Sequence, residues 1–224
     1  MSSALVVTTE GVVVAKFNPA HVPAGSSAGG QFAHSGEGGS RETHPRVTYA
    51  IGVGEKVRGI LGEYEIETRW NGQIVETPSE RGSHGYYTGT VHLSPSTLRT
   101  IQGVQGMTMD KWDSLGRDGQ TVVANSVRTL THEVLHGVGN STAIYQQQRR
   151  LVENVLDVGT DHFAPLVFRV LTGLTPSNFP GKRFPTGIPY RGKLIQTGRE
   201  RVLGLLRRPA VSWKSQLDTW WSET

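Results

Sequence analysis

The hydrophobic pattern divides the chain near residue 45. Before it, apolar residues come in two short groups, Leu5-Val6-Val7 and Val12-Val13-Val14, separated by Thr8-Thr9-Glu10-Gly11. Such spacing predicts a short hairpin or an arm that pairs elsewhere. Residues 17–45 are rich in Pro, Gly and Ser, a composition that makes a linker and leaves His21, His34 and His44 solvated. The expected organisation is a flexible arm and linker over 1–45 and a folded domain over 46–224.

From residue 46 to 95 the pattern predicts strands with one helix. Residues 47–51 suit a strand and residues 55–64 a helix, although glycines interrupt it. Residues 64–70 and 73–77 read as strands about Asn71-Gly72, a strong tight-turn pair. Residues 86–93 alternate and stop at Ser94-Pro95, as an edge strand does. Residues 94–105 suit a short helix.

The clearest helical pattern follows. Val123, Val127, Leu130 and Val134 recur at helical spacing and form one apolar stripe. Thr129, His132, Glu133 and His136 fall on a second stripe roughly opposite. Asp118 suits an N-cap, and Gly137 and Gly139 stop the helix. A second helix, capped by Asn140 or Ser141, carries Ile144, Leu151, Val152, Val155 and Leu156 on its apolar face. Residues 163–171 continue a helix, 175–189 form a proline-rich loop, and 194–206 and 213–221 read as helices.

Composition changes the picture in three respects. With 224 residues, 36% hydrophobic content and 28 glycines, the chain holds one ordinary domain plus length that is not core. The absence of cysteine excludes disulfides and thiolate metal sites. Residues 181–224 carry nine Lys or Arg against three Asp or Glu, a local +6 within a total of +4. That basic end suits a solvated helix face better than a nucleic-acid surface, and no nucleic-acid motif accompanies it. No apolar run is long enough to span a bilayer, and residues 1–10 lack the basic and apolar regions of a signal peptide. The expected setting is a host cytoplasm or a particle assembled there.

The second stripe carries the chemistry. Histidines four apart on one helix face can reach one metal, and Glu133 beside the first can act as general base toward water. A catalytic zinc site needs a third protein ligand. A third histidine at H-E-x-x-H-x-x-G-x-x-H fails, because that position is Thr142. The alternative is a carboxylate on the next helix. There Glu153-Asn154-Val155-Leu156-Asp157 places two carboxylates one turn apart, and an antiparallel return of about three turns would bring Glu153 beside the histidines.

An H-E-x-x-H helix followed by E-x-x-x-D resembles the gluzincin metallopeptidases. The match covers residues 118–164, about a fifth of the chain. The resemblance implies an α+β, zincin-like domain with a small twisted mixed sheet, an active-site helix and a second ligand-bearing helix, its core at about 86–164. It implies Zn2+ held by His132, His136 and Glu153, with Glu133 as catalytic base and Asp157 accepting a hydrogen bond from a ligand imidazole. It further implies a polypeptide substrate extended along Thr90, Val91, His92 and Leu93. Tyr190 and Tyr145 are the candidates for the phenol that some zincins use to stabilise the oxyanion. Asp161 and His162 are expected on the helix surface.

Residues 17–33 are similar to an N-P-x-H-x-P-x-G…G-G-Q-F segment of tailed-phage proteins. That likeness implies phage origin, with phage structural proteins as partners. The expectation is a zinc endopeptidase, either a processing enzyme or an effector. Its alternative is a virion or assembly protein with a structural or inactive zinc site.

Overall fold

A computed structural model of the chain describes residues 5–7, 44–78, 83–84, 88–138, 142–176, 179–180 and 187–223. The fold mixes helix and sheet and is mostly helical. Helix α1 (Pro45–Glu63) comes first. It replaces the strand and separate helix expected over 47–64. Pro45 pre-sets its first turn, and Val47, Ala50, Ile51, Val57, Ile60 and Leu61 are buried at helical spacing straight across the glycines. Gly54 is a packing position: the Trp70 ring occupies the space a β-carbon would need.

The expected hairpin about Asn71-Gly72 is only half present. Gly72 turns the chain at φ +80°, and Asn71 Oδ1 accepts a bond of 2.9 Å from the Gln73 amide. Beyond the turn β2 (Ile74–Glu76) forms, but residues 64–70 are not a strand: Tyr64 and Glu65 make a turn, with Glu65 at φ 58°, and 66–70 have no regular structure. Instead β2 pairs antiparallel with β1 (Leu5–Val7) and parallel with β4 (Val91–Leu93), while β3 (Ser83–His84) pairs antiparallel with β4. The result is a small mixed sheet in the order β1-β2-β4-β3. Part of the N-terminal arm therefore joins the sheet; the rest, residues 1–4 and 8–43, lies outside the described residues.

After β4, Ser94 caps α2 (Pro95–Gln102) by accepting from the Thr97 amide at 3.1 Å. Short α3 (Met109–Ser114) leads into α4 (Gly116–Leu135), the motif helix. It starts two residues before the expected cap, with Asp118 in its first turn. Helix α5 (Thr142–Thr172) is broken by a non-helical Gln148, φ −130° and ψ 29°, so a separate segment starts at Arg149. Helices α4 and α5 run antiparallel, since residues advancing along α5 meet residues receding along α4. Helix α4 is central, packed by α5, α2, α1 and β4 and buried on several faces, not on one stripe alone. Gly159 lets α5 approach closely: a β-carbon there would stand 3.0 Å from Leu206 Cδ1 and 3.6 Å from Leu135 Cδ1.

The C-terminal part departs from expectation at one turn. Arg191 and Gly192 both adopt positive φ, 47° and 81°, which closes a hairpin of β5 (Gly187–Tyr190) and β6 (Lys193–Gln196). The helix expected from residue 194 is therefore a strand at first, and α6 (Arg199–Leu206) follows. A 3-10 turn (Ala210–Ser212) leads to α7 (Trp213–Ser222). No helix among the described residues is long and apolar enough to cross a membrane.

Candidate metal centre

Three local devices shape the end of α4. His136 is the C-cap, its amide still bonded to the His132 carbonyl at 3.0 Å, so both imidazoles keep their one-turn stacking. Gly137 follows because residues 68–70 cross there. A β-carbon at Gly137 would collide with Thr68 Oγ1 and stand 2.8 Å from the Trp70 amide nitrogen. Thr68 Oγ1 also donates to the Val134 carbonyl at 2.8 Å, and the Arg69 amide donates to the Gly137 carbonyl at 3.1 Å. The crossing segment thereby binds two carbonyls at the end of the helix, that of Gly137 and that of Val134, which also accepts from the Gly137 amide. Gly139, Asn140 and Ser141 lie outside the described residues.

The chemistry-bearing groups converge across α4 and α5. His132, Glu133 and His136 form a group whose ligand atoms all lie within 4.8 Å of one another and which could hold a metal ion. Glu153 approaches the same space from α5. Its Oε2 is 3.2 Å from His132 Nε2 and 3.8 Å from His136 Nε2. The imidazole rings meet edge to face, centroids 4.7 Å apart. Two carboxylates thus compete for the role of third donor. Glu153 is half-buried at the cleft, whereas Glu133 is 5% exposed and its Oε2 has no hydrogen-bond partner among the described residues.

The outer nitrogen of His132 is held from α5. Nδ1 stands 3.3 Å from Thr160 Oγ1 and 3.5 Å from Asp157 Oδ1. Thr160 is buried, and its hydroxyl proton goes to the Leu156 carbonyl at 2.8 Å. Its oxygen is therefore left to accept from an Nδ1–H, which leaves the Nε2 lone pair for a metal. One turn before His132, Arg128 forms a buried ion pair with Asp161. Asp161 is thus internal, not on the helix surface as expected. His162 is half-buried, its ring edge-on to Tyr64 and Phe163. Neither Thr160 nor Arg128 was singled out by sequence, although both sit one turn from a motif residue on the same helix.

Electrostatics follow from burial. Desolvation raises the Glu133 carboxyl to about 7, helped by the Glu153 charge and opposed by His132. Desolvation alone would lower His132, but its bond to Glu153 and the charges of Glu133 and Asp157 outweigh it and hold the imidazolium above its ordinary range.

Other expected site residues fall elsewhere. Val91, His92 and Leu93 form an interior strand flanked by β2 and β3, with the Val91 amide and the Leu93 carbonyl bonded to Gln73 and Thr77. The edge reading of this strand is thereby overturned, because a strand's own alternation does not show how many neighbours it has. Thr90 is buried and bonded to Asn71 and Gln73 through its hydroxyl. The Tyr190 hydroxyl donates to Asp218 on α7 at 2.5 Å and its ring lies under Arg191, so the phenol is engaged with the C-terminal helix. Tyr145 belongs to the first turns of α5, and its side chain lies outside the described residues.

No family model matches this chain, and no curated protein or solved structure matches it either. The case for a metal at His132, Glu133 and His136 therefore stands on geometry alone.

Proposed function

We propose that the chain is a zinc-dependent endopeptidase whose metal is held by His132, His136 and Glu153. The observation that carries this reading is the approach of Glu153 Oε2 to both imidazole nitrogens, 3.2 and 3.8 Å away. Those spacings bracket the edge of about 3.4 Å expected between donors of a tetrahedral zinc site with bonds of about 2.1 Å. Two imidazoles and a carboxylate suit zinc, and three protein donors leave a fourth position open, as catalytic sites do.

When bound, zinc supplies Lewis acidity, polarising a scissile carbonyl and acidifying water. The remaining work belongs to the chain. Glu133, raised to about 7, is matched to neutral pH as a base. Its carboxylate accepts the proton of the attacking water and returns it to the leaving nitrogen. Thr160 and Asp157 hold the His132 tautomer. The half-exposed position of Glu153 keeps the cleft open to a polypeptide. This reading keeps the resemblance to gluzincins and drops main-chain pairing along Val91 to Leu93.

The test is metal analysis of the purified full chain followed by casein digestion by the parent and by Glu133→Gln. The expected result is one zinc per chain in both proteins and cleavage by the parent alone. Equal cleavage by the variant overturns the mechanism. Stoichiometric zinc without any cleavage favours the inactive-site alternative.

A further inference from the structure

Within about one turn of α5, side chains face three different elements. Val152 and Val155 are buried in the core, Glu153 Oε2 faces both imidazoles on α4, and Asn154 faces β5. Asn154 Nδ2 donates to the Pro189 carbonyl at 2.7 Å. Consecutive helical residues stand about 100° apart, so an anchor at Asn154 also sets the direction in which Glu153 points.

The rotation matters because the distances at the metal centre are short. A side-chain atom about 5–6 Å from the helix axis moves about 2 Å when the helix turns by about 20°. Glu153 Oε2 is 3.2 Å from His132 Nε2 and 3.8 Å from His136 Nε2, so a shift of that size removes one approach or both. Nothing continuous fixes the rotation from the N-terminal side. Gln148, φ −130° and ψ 29°, interrupts the helical backbone little more than a turn before Glu153. The apolar contacts of Val152 and Val155 are not directional, whereas the Asn154 bond is.

The acceptor is itself held in place. Pro189 lies in β5 opposite Leu194 of β6, and its neighbour Tyr190 donates its hydroxyl to Asp218 of α7 at 2.5 Å. Asp218 also pairs with Arg191 in the turn, at 2.7 Å. Pro189 has no amide to pair, and its carbonyl is engaged outside the hairpin, by Asn154.

We propose that Asn154 is a positioning residue for the metal centre. By holding the Pro189 carbonyl it fixes the rotation of α5 that turns Glu153 toward His132 and His136. The inference rests on the metal reading of those three residues. A bond that only fastened the hairpin would leave metal binding unchanged when cut.

The experiment uses the full-length chain with zinc and cobalt(II) as probes. Asn154→Leu keeps the approximate shape and removes the donor. Its zinc affinity, read by chelator competition, should fall about tenfold, and the visible absorption of its cobalt form should change with the coordination geometry. Hydrogen exchange at residues 151–156 of the metal-free variant should be faster than in the parent. Asn154→Asp brings a negative charge near the cation, which by charge alone would tighten binding, yet it also loses the donor and should bind more weakly. Asp218→Asn loosens the same hairpin from α7 without touching Asn154. It should lower the urea midpoint while keeping parental zinc affinity and cobalt absorption.

Parental affinity and absorption in Asn154→Leu overturn the inference and leave the metal reading standing. So do unchanged exchange at residues 151–156, tighter zinc binding by Asn154→Asp, or an equal loss of affinity in Asp218→Asn, which would mark general loosening. A parent that binds neither zinc nor cobalt defeats the metal reading, and the role given to Asn154 falls with it.

Discussion

His132 Nε2 and Glu153 Oε2 stand 3.2 Å apart although 21 residues and a change of helix separate them. A contact that close between a half-buried imidazole and a carboxylate is what a shared cation would exploit. Replacing Glu153 with Ala should lower zinc affinity by more than about a hundredfold, because a ligand matters at least as much as its supporting contacts. Competition with a chromophoric chelator measures this. The same zinc should raise the parent's melting temperature and leave Glu153→Ala almost unmoved, since binding stabilises only a chain that binds. A variant that keeps parental affinity would exclude Glu153 as a ligand.

Thr160 Oγ1 gives its proton to the Leu156 carbonyl and faces His132 Nδ1 with its lone pair. Thr160→Val keeps the shape and removes the acceptor, so zinc affinity should fall about tenfold. Thr160→Ser should restore it. Packing alone would make Ser, the smaller residue, worse than Val. The order of the two variants in a zinc titration therefore separates positioning from packing.

What the sequence carried and what it hid have physical reasons. The approach of Glu153 to the histidines follows from the helical period, because two antiparallel helices of known spacing leave few ways to face each other. The helix at Pro45 was hidden by its own glycines, which read as breaks, although one of them, Gly54, serves as a seat for Trp70. The β5–β6 hairpin was hidden because Arg191 at φ 47° carries no glycine signal of its own. Strand order in the sheet was hidden for a different reason. Whether β4 is an edge depends on β3 and β2, which its own residues do not report. The Arg128–Asp161 pair joins residues 33 apart, and sequence spacing alone does not identify such partners.

Glu133 is buried and raised from 4.5 to about 7. Its folded-state pKa exceeds its unfolded one, so the folded metal-free protein binds the extra proton between those values. Its contribution to stability is present below pH 4.5 and is lost as pH rises toward 7. His132, also raised, acts in the same direction, favouring the folded state at low pH and losing that effect as pH rises through its folded pKa. The metal-free parent should therefore become less stable from pH 5 to 8. Glu133→Gln should be more stable than the parent at pH 8 by up to about 3 kcal/mol and little different at pH 4.5. Zinc reverses the slope, because its ligands must be deprotonated to bind. Urea unfolding at both pH values, with chelator and with zinc, reads all four cases. A metal-free protein equally stable at both pH values would contradict the burial argument.

Arg128 and Asp161 tie α4 to α5 one turn before His132, with side chains 9% and 2% exposed. Burying two charges gains little over apolar packing, but stranding one is costly. Asp161→Ala should therefore destabilise the chain by about 3–5 kcal/mol, leaving the Arg128 guanidinium buried without that partner. Arg128→Met combined with Asp161→Leu should recover most of the loss, since similar volume without charge removes the stranded group. The two helices also carry His132 and Glu153, so the single variant should loosen zinc binding and the double variant should restore it. Urea denaturation and zinc titration on the three proteins decide the point. If the single variant costs under about 1 kcal/mol, water reaches the guanidinium and the pair does not act as an internal tie.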